Sequence, residues 1–124
     1  MCRILLSINP EYVEKILDGT KRYEFRKIRC KEEISQIIIY STSPVMKIVG
    51  EASVDDTLES SPEDIWRITS EDAGIDKEFF DSYYQGRKKA VAYKIGDTKR
   101  YDQPRELSDY GLSFAPQSFA YLSS

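Results

Sequence analysis

The chain has no histidine at all. That absence excludes serine triads of the usual type, most zinc sites, imidazole acid–base chemistry and the histidine partner a cysteine nucleophile usually needs. Any catalysis here must run on Lys, Asp or Glu, Tyr, Ser or Thr, or Cys. Cysteine is scarce as well. Cys2 and Cys30 are the only two, and they read as reduced thiols of a cytoplasmic protein rather than a disulfide framework. Neither a metal site nor a cofactor is expected. No apolar run approaches the ~20 residues a membrane-spanning helix needs. The N-terminus carries a single Arg3 before a short ILLSI run that meets Pro10. It lacks the length and the small-residue cleavage site of a signal peptide. The expectation is a cytoplasmic protein with no membrane partner.

What is present suits one domain over residues 1–124. A chain of this size buries roughly two-thirds of its unfolded surface, enough for one core. Apolar residues make up 40% and charged ones 31%, an ordinary globular balance. The net charge of −3 argues against coating nucleic acid through bulk charge. The charges are nevertheless segregated. Residues 21–31 hold Lys21, Arg22, Arg26, Lys27, Arg29 and Lys31 against one acid, Glu24, whereas residues 51–81 hold eleven acids against Arg67 and Lys77. A phosphate-bearing ligand is drawn to the first region and repelled by the second.

Local signals outline the elements. Arg3 to Ile8 reads as a buried strand. Asn9-Pro10 then caps and opens a helix with Tyr12, Val13, Ile16 and Leu17 on one face, and Gly19 closes it. Strands are expected over residues 21–27 and 36–41, with a turn at Ser41-Thr42-Ser43-Pro44. A long strand follows over residues 45–54, and Gly50 marks a bend or bulge in it. Ser61-Pro62 starts a second helix, and residues 76–85 form a third that stops at Gly86. Val91, Tyr93 and Ile95 alternate as a strand, and another ends near Leu122. Strands predominate without a one-for-one alternation with helices, which predicts an α+β fold built on a curled mixed sheet or small β-barrel.

The stretch DGTKRYEFRK, residues 18–27, concentrates the charge question. On a strand, Arg22, Glu24 and Arg26 share one face, while Tyr23 and Phe25 point to the core. Lys21 has core-side parity, so it joins Glu24 and Arg26 only if the chain is still turning after Gly19. A carboxylate three residues away holds an ammonium charged, which makes Lys21 an anchoring cation rather than a base. Arg26 suits bidentate recognition of a phosphate or a base edge, and Glu24 can accept from an exocyclic amine. The plainer alternative is a surface strand bearing an ion-pair ladder.

Gly19-x-Lys21-x-x-Glu24-x-Arg26, entering a strand directly after a capped helix, resembles the signature of the ASCH domain, a family with a PUA-like fold. Ile39 to Pro44 followed by Ile48-Val49-Gly50-Glu51, and Pro116-Gln117-Ser118-Phe119, extend the resemblance in order along nearly the whole chain. The resemblance implies a curved sheet or small barrel with two to three peripheral helices and a cleft that the signature Lys, acid and Arg enter. It also implies RNA or modified bases as ligands. Some small bacterial members are amidohydrolases on acetylated cytidine that use a Lys, a Thr and a Glu. Lys21 matches that Lys, Glu24 stands where the Thr would be, and Glu71 and Asp72 lie in the region of the third residue.

Further ligand candidates are Ser41, Thr42 and Ser43, whose hydroxyls or amides suit an anion, and Gln117 and Ser118 from the C-terminal motif. Glu51 is a candidate second acid or else a solvated carboxylate. Trp66 is read as core rather than as a stacking platform, and Tyr83 and Tyr84 as core or helix packing. Arg87, Lys88 and Lys89 either extend the basic surface or are a solvated helix end. Three functions follow. The favoured one is a module that binds RNA, or a free nucleoside or nucleotide, in a cleft of Lys21, Glu24 and Arg26, with flanking basic residues on the phosphate. The second is a hydrolase, acting on acylated nucleosides such as N4-acetylcytidine or on RNA, with Lys21 and Glu24 catalytic. The third is a regulatory module that meets a protein partner through the acidic region 51–81.

Overall fold

A computed structural model describes residues 2–122. Six strands form one mixed sheet: β1 (Cys2–Ile8), β2 (Tyr23–Arg26), β3 (Ile34–Ser41), β4 (Lys47–Ser60), β5 (Ala90–Arg105) and β6 (Phe119–Leu122). Three helices accompany them: α1 (Pro10–Leu17), α2 (Pro62–Thr69) and α3 (Lys77–Tyr83). The strand order is β2-β5-β4-β3-β1-β6, with β1 and β3 parallel and every other pair antiparallel. The α+β class and the mixed sheet are as expected, but the small barrel is not formed. β2 and β6 stand at opposite edges, and nothing among the described residues pairs them.

Alternation along the strands explains why the sheet is covered on both faces. Ile4, Leu6 and Ile8 of β1, Ile37 and Ile39 of β3, and Val91, Tyr93 and Ile95 of β5 pack with Val13 and Ile16 of α1. The opposite parity splits between two smaller groups. Ala90 and Ala92 join Phe25, Ile65, Phe80 and Tyr84 beneath α2 and α3. Leu5, Ile38, Tyr40 and Ile48 meet Tyr101 and the segment around Leu107 and Tyr110. The unbroken apolar run of β3 is thus a strand buried on both sides.

The caps form where the sequence places them. The Asn9 side chain accepts from the Glu11 N–H at 2.9 Å, and Gly19 takes φ +89° after α1. Gly50 sits at a register shift of β4 against both neighbours, and a Cβ there would lie 2.5 Å from the Lys99 carbonyl oxygen. Ser61 Oγ accepts from the Asp64 N–H at 3.2 Å at the start of α2. Ser61→Ala should therefore lower the unfolding free energy by about 1 kcal/mol, read as a shift in the urea midpoint without a change in slope. A shift below about 0.3 kcal/mol would mean that the cap is replaced by water at no cost.

Several boundaries differ from expectation: β3 starts at Ile34 rather than at residue 36, and β4 runs over Lys47–Ser60 rather than 45–54. β2 begins at Tyr23, not at Lys21, because the Lys21 N–H still donates to the Lys15 carbonyl and the Arg22 N–H donates to Asp72. β5 runs on to Arg105 through polar residues that carry no strand pattern of their own, held by pairing with β4.

Candidate functional site

A cleft of about 200 Å³ opens between the end of β1, the start of α1, β2 and α3. Ser7, Ile8, Asn9 and Tyr12 form one wall, Lys21, Glu24, Phe25 and Arg26 the floor, and Ile75, Phe79 and Tyr83 the other wall. Tyr12 and Phe79 meet edge-on across it, their ring centres 5.8 Å apart.

The chain is still turning after Gly19, which is the condition for Lys21 to enter the cleft. Its side chain is only 2% exposed. The ammonium donates to the Ala73 carbonyl at 2.7 Å and lies 4.8 Å from the ring centre of Phe25 and 5.4 Å from that of Tyr12. One acceptor and two aromatic faces are all it has among the described residues, so part of its hydrogen-bonding capacity is unused. Its aliphatic stem rests on Gly74, where a Cβ would come within 2.5 Å of Lys21 Cβ and Cγ. The next carbonyl along, that of Gly74, accepts from Lys15 Nζ at 3.1 Å.

The electrostatic balance differs from the sequence reading. Burial lowers the Lys21 pKa from 10.5 to about 8, although Glu24 opposes the shift, and Lys15 and Arg26 add to it. Desolvation outweighs the one carboxylate. The ammonium still dominates at neutral pH, but its proton is held far less tightly than in a solvated lysine.

Glu24 is buried as well, so the stretch is not an exposed ion-pair ladder. Arg26 donates to Glu24 Oε2 from Nε at 3.2 Å and from Nη2 at 2.8 Å, and Nη2 also reaches the Ser7 carbonyl at 3.0 Å. Nε and Nη2 are therefore engaged in orienting Glu24 and bridging to β1, while Nη1 has no partner among the described residues. Glu24 Oε1 has no partner among the described residues. The cleft thus offers a donor, Lys21, beside an acceptor, Glu24, between aromatic walls. Arg22, expected on the same face, is exposed and does not line the cleft.

The remaining candidates lie around the cleft rather than in it. Ser41 is buried in β3, and the Thr42 N–H donates to the Ile8 carbonyl at 3.0 Å, which places the Ser41–Ser43 turn behind the β1 wall. The Gln117 and Ser118 side chains are exposed. The backbone there supports Ser7, whose N–H donates to the Ser118 carbonyl at 3.3 Å and whose hydroxyl donates to the Pro116 carbonyl at 2.7 Å. Glu51 accepts from Tyr101 at 2.8 Å and from Gln36 at 2.7 Å, away from the cleft. Glu71 and Asp72 are exposed and do not line the cleft. Trp66 packs 4.9 Å from Phe80, and Tyr84 donates to the Arg26 and Val91 carbonyls. Tyr83, read from sequence as packing, instead lines the cleft, as do Tyr12, Phe79 and Ile75.

In the acidic region, Ile68 and Phe79 are the exposed large apolar side chains, and Phe79 belongs to the cleft. No group of three or more His, Cys, Asp or Glu among the described residues could hold a metal ion. No helix among them is long and apolar enough to cross a membrane.

The ASCH domain family model matches residues 6–99. The chain is 31% identical over 120 residues to the large ribosomal subunit protein uL22 of Ureaplasma parvum, covering 96% of this chain but only 39% of that protein. It is 28% identical over 122 residues to an ASCH domain-containing ribonuclease of Zymomonas mobilis, covering 95% of this chain and 82% of the relative. A crystal structure of ASCH from Zymomonas mobilis superposes with a TM-score of 0.88 at 26% identity, over 98% of this chain and 87% of that one.

Proposed function

The chain belongs to the ASCH domain family, and on that premise we propose that it is an RNA-binding module whose cleft receives one unpaired base. The observation that carries this reading is the juxtaposition of Lys21 and Glu24. Among the described residues, a buried ammonium with one protein acceptor shares the cleft with a buried carboxylate whose Oε1 has no partner. A nucleobase supplies both missing partners: a ring carbonyl accepts from Lys21, and an exocyclic amine donates to Glu24. Tyr12, Phe25, Phe79 and Tyr83 give the apolar and aromatic surface that a flat ring needs. The cavity of about 200 Å³ falls below the ~300–1,000 Å³ of pockets that take drug-sized ligands, which suits one base and excludes a base pair. A base reaches such a cleft only from a single strand or by leaving its stack. The kinship to a protein named as a ribonuclease supports RNA as the polymer.

Hydrolysis of the bound RNA, or of an acylated nucleoside, is the second reading. One observation favours it: Lys21, with a pKa of about 8, can exchange its proton near neutral pH as an acid–base group must.

The test presents the purified protein with ordinary and acetylated nucleosides and with short single-stranded RNAs. Binding is followed by ligand-observed NMR and products by chromatography. Saturable binding without product supports the binding module, turnover beyond stoichiometry makes the protein an enzyme, and silence with every ligand removes the reading. Glu24→Gln adds a sharper arm. The amide turns an acceptor into a donor at the cleft, so cytidine and adenosine should lose about tenfold in affinity relative to uridine. An unchanged order of preference would show that Glu24 does not face the base.

A further inference from the structure

Lys27, the residue after β2, is exposed, yet its ammonium is held over a ring. Lys27 Nζ lies 4.8 Å from the ring centre of Tyr83, a wall of the cleft. The backbone explains the meeting. Tyr84, at the C-terminal end of α3, donates from its hydroxyl to the Arg26 carbonyl at 2.8 Å and so ties that end of the helix to the last residue of β2. Lys27 follows directly. Arg87, whose N–H donates to the Tyr84 carbonyl at 2.9 Å, enters from the same helix end. Burial raises the Tyr83 pKa, and the charges of Arg26 and Arg87 are close enough to oppose that rise.

Neither Lys27 nor Arg87 has a carboxylate partner among the described residues. They share this with other surface cations such as Arg22, Lys88 and Lys94, whereas Lys15, Arg29, Lys47, Arg67, Lys77 and Arg100 are paired. What sets Lys27 apart is that its ammonium lies over a ring lining the cleft. Cations at a helix C-terminus complement the helix dipole and need no ligand to account for them, which covers Arg87. Lys27 is not on that helix, and the ring under its ammonium lines the cleft, which puts its charge next to whatever the cleft binds.

We propose that Lys27, over the Tyr83 ring, and Arg87, at the same end of α3, form a phosphate subsite beside the cleft. The ligand is then a nucleotide or a nucleotide unit of an RNA strand, and not a free nucleoside. Arg26 already commits its Nε and Nη2 to Glu24 and the Ser7 carbonyl, whereas the Lys27 ammonium makes no hydrogen bond among the described residues. The division of labour matches the chemistry of nucleic-acid contacts, in which phosphate contacts position and base contacts specify. The inference rests on the base-binding reading above.

The experiment titrates the whole chain, wild type and the Lys27→Met and Lys27→Met/Arg87→Met variants, with nucleosides, their 5′- and 3′-monophosphates, a short single-stranded RNA and inorganic phosphate alone. Met retains the stem of each side chain and removes its charge. The monophosphates should bind wild type more tightly than the nucleosides do, by about fivefold for an exposed contact of this kind. That gain should vanish in the double variant while nucleoside affinity holds. With RNA, the slope of log affinity against log salt should fall by roughly 0.7 for each cation removed. Inorganic phosphate alone should bind weakly and compete with the monophosphates but not with the nucleosides. Nucleosides that bind as tightly as monophosphates, or a monophosphate gain that survives in the double variant, would overturn the subsite and leave the base cleft standing. Failure of nucleosides, monophosphates and RNA alike would overturn both.

Discussion

Lys21→Met is expected to weaken ligand binding by about ten- to a hundredfold, the worth of one charge-assisted hydrogen bond, and to abolish any turnover, in a chain that stays folded. The same substitution should reveal how much the buried ammonium strains the fold. In the folded chain Lys21 titrates at about 8 against an ordinary 10.5. Between those values the unfolded chain holds a proton that the folded chain has released, so unfolding takes up a proton and stability rises with pH. Below about pH 8 both states are protonated, and the full cost of the buried charge is present. It is relieved as pH climbs toward 10.5. The gap corresponds to roughly 3 kcal/mol. Urea unfolding of wild type and Lys21→Met at a series of pH values isolates this contribution, because the tyrosines and other groups titrate alike in both. Wild type should gain on the variant by roughly 3 kcal/mol from pH 7 to 10.5. A flat difference would mean that Glu24 keeps Lys21 at its ordinary pKa, as the sequence alone suggests. Lys21 would then be a fixed anchoring cation.

Residues whose role is decided within a few positions were legible, and those decided by remote partners were not. Asn9-Pro10, Gly19, Ser61-Pro62 and Gly86 act through backbone geometry that they themselves impose, and each stands at the helix end where the pattern puts it. Gly50 is read correctly as a break in strand pairing because few other residues fit so close to a neighbouring backbone. Closure of the sheet depends on whether its two edges meet, and no local signal carries that. Burial of Lys21 depends on Ala73 and Gly74, more than fifty residues away, so the reading from Glu24 alone overestimated the charge balance. The aromatic walls were visible but misassigned. Tyr12, Phe79 and Tyr83 lie on helix faces that look the same in sequence whether they cover a core or line a cleft.

Gly74→Ala should therefore strike the site as hard as a change in Lys21 itself. Gly74 has φ +73°, a left-handed conformation that costs any other residue about 1 kcal/mol. Gly19, with φ +89°, carries the same conformational cost but has nothing within 4 Å of the position a Cβ would take. At Gly74 the added methyl meets Lys21 Cβ and Cγ at 2.5 Å and Cδ at 3.0 Å. These are the root of the side chain, which cannot swing aside as a flexible tip would. Either the Ala73–Gly74 backbone retreats, or the ammonium leaves the Ala73 carbonyl. Overpacking of this kind adds about 1–3 kcal/mol. Gly74→Ala should thus cost about 2–4 kcal/mol, and Gly19→Ala about 1 kcal/mol, with the difference measuring the contact on Lys21. The functional readout separates this from general weakening. Gly74→Ala should lose base binding at temperatures where it is fully folded, and the NMR signal of the Lys21 side chain should shift toward that of a solvated lysine. Gly19→Ala should leave both unchanged. Equal effects of the two substitutions would show that Gly74 serves the turn alone and that Lys21 is held without it.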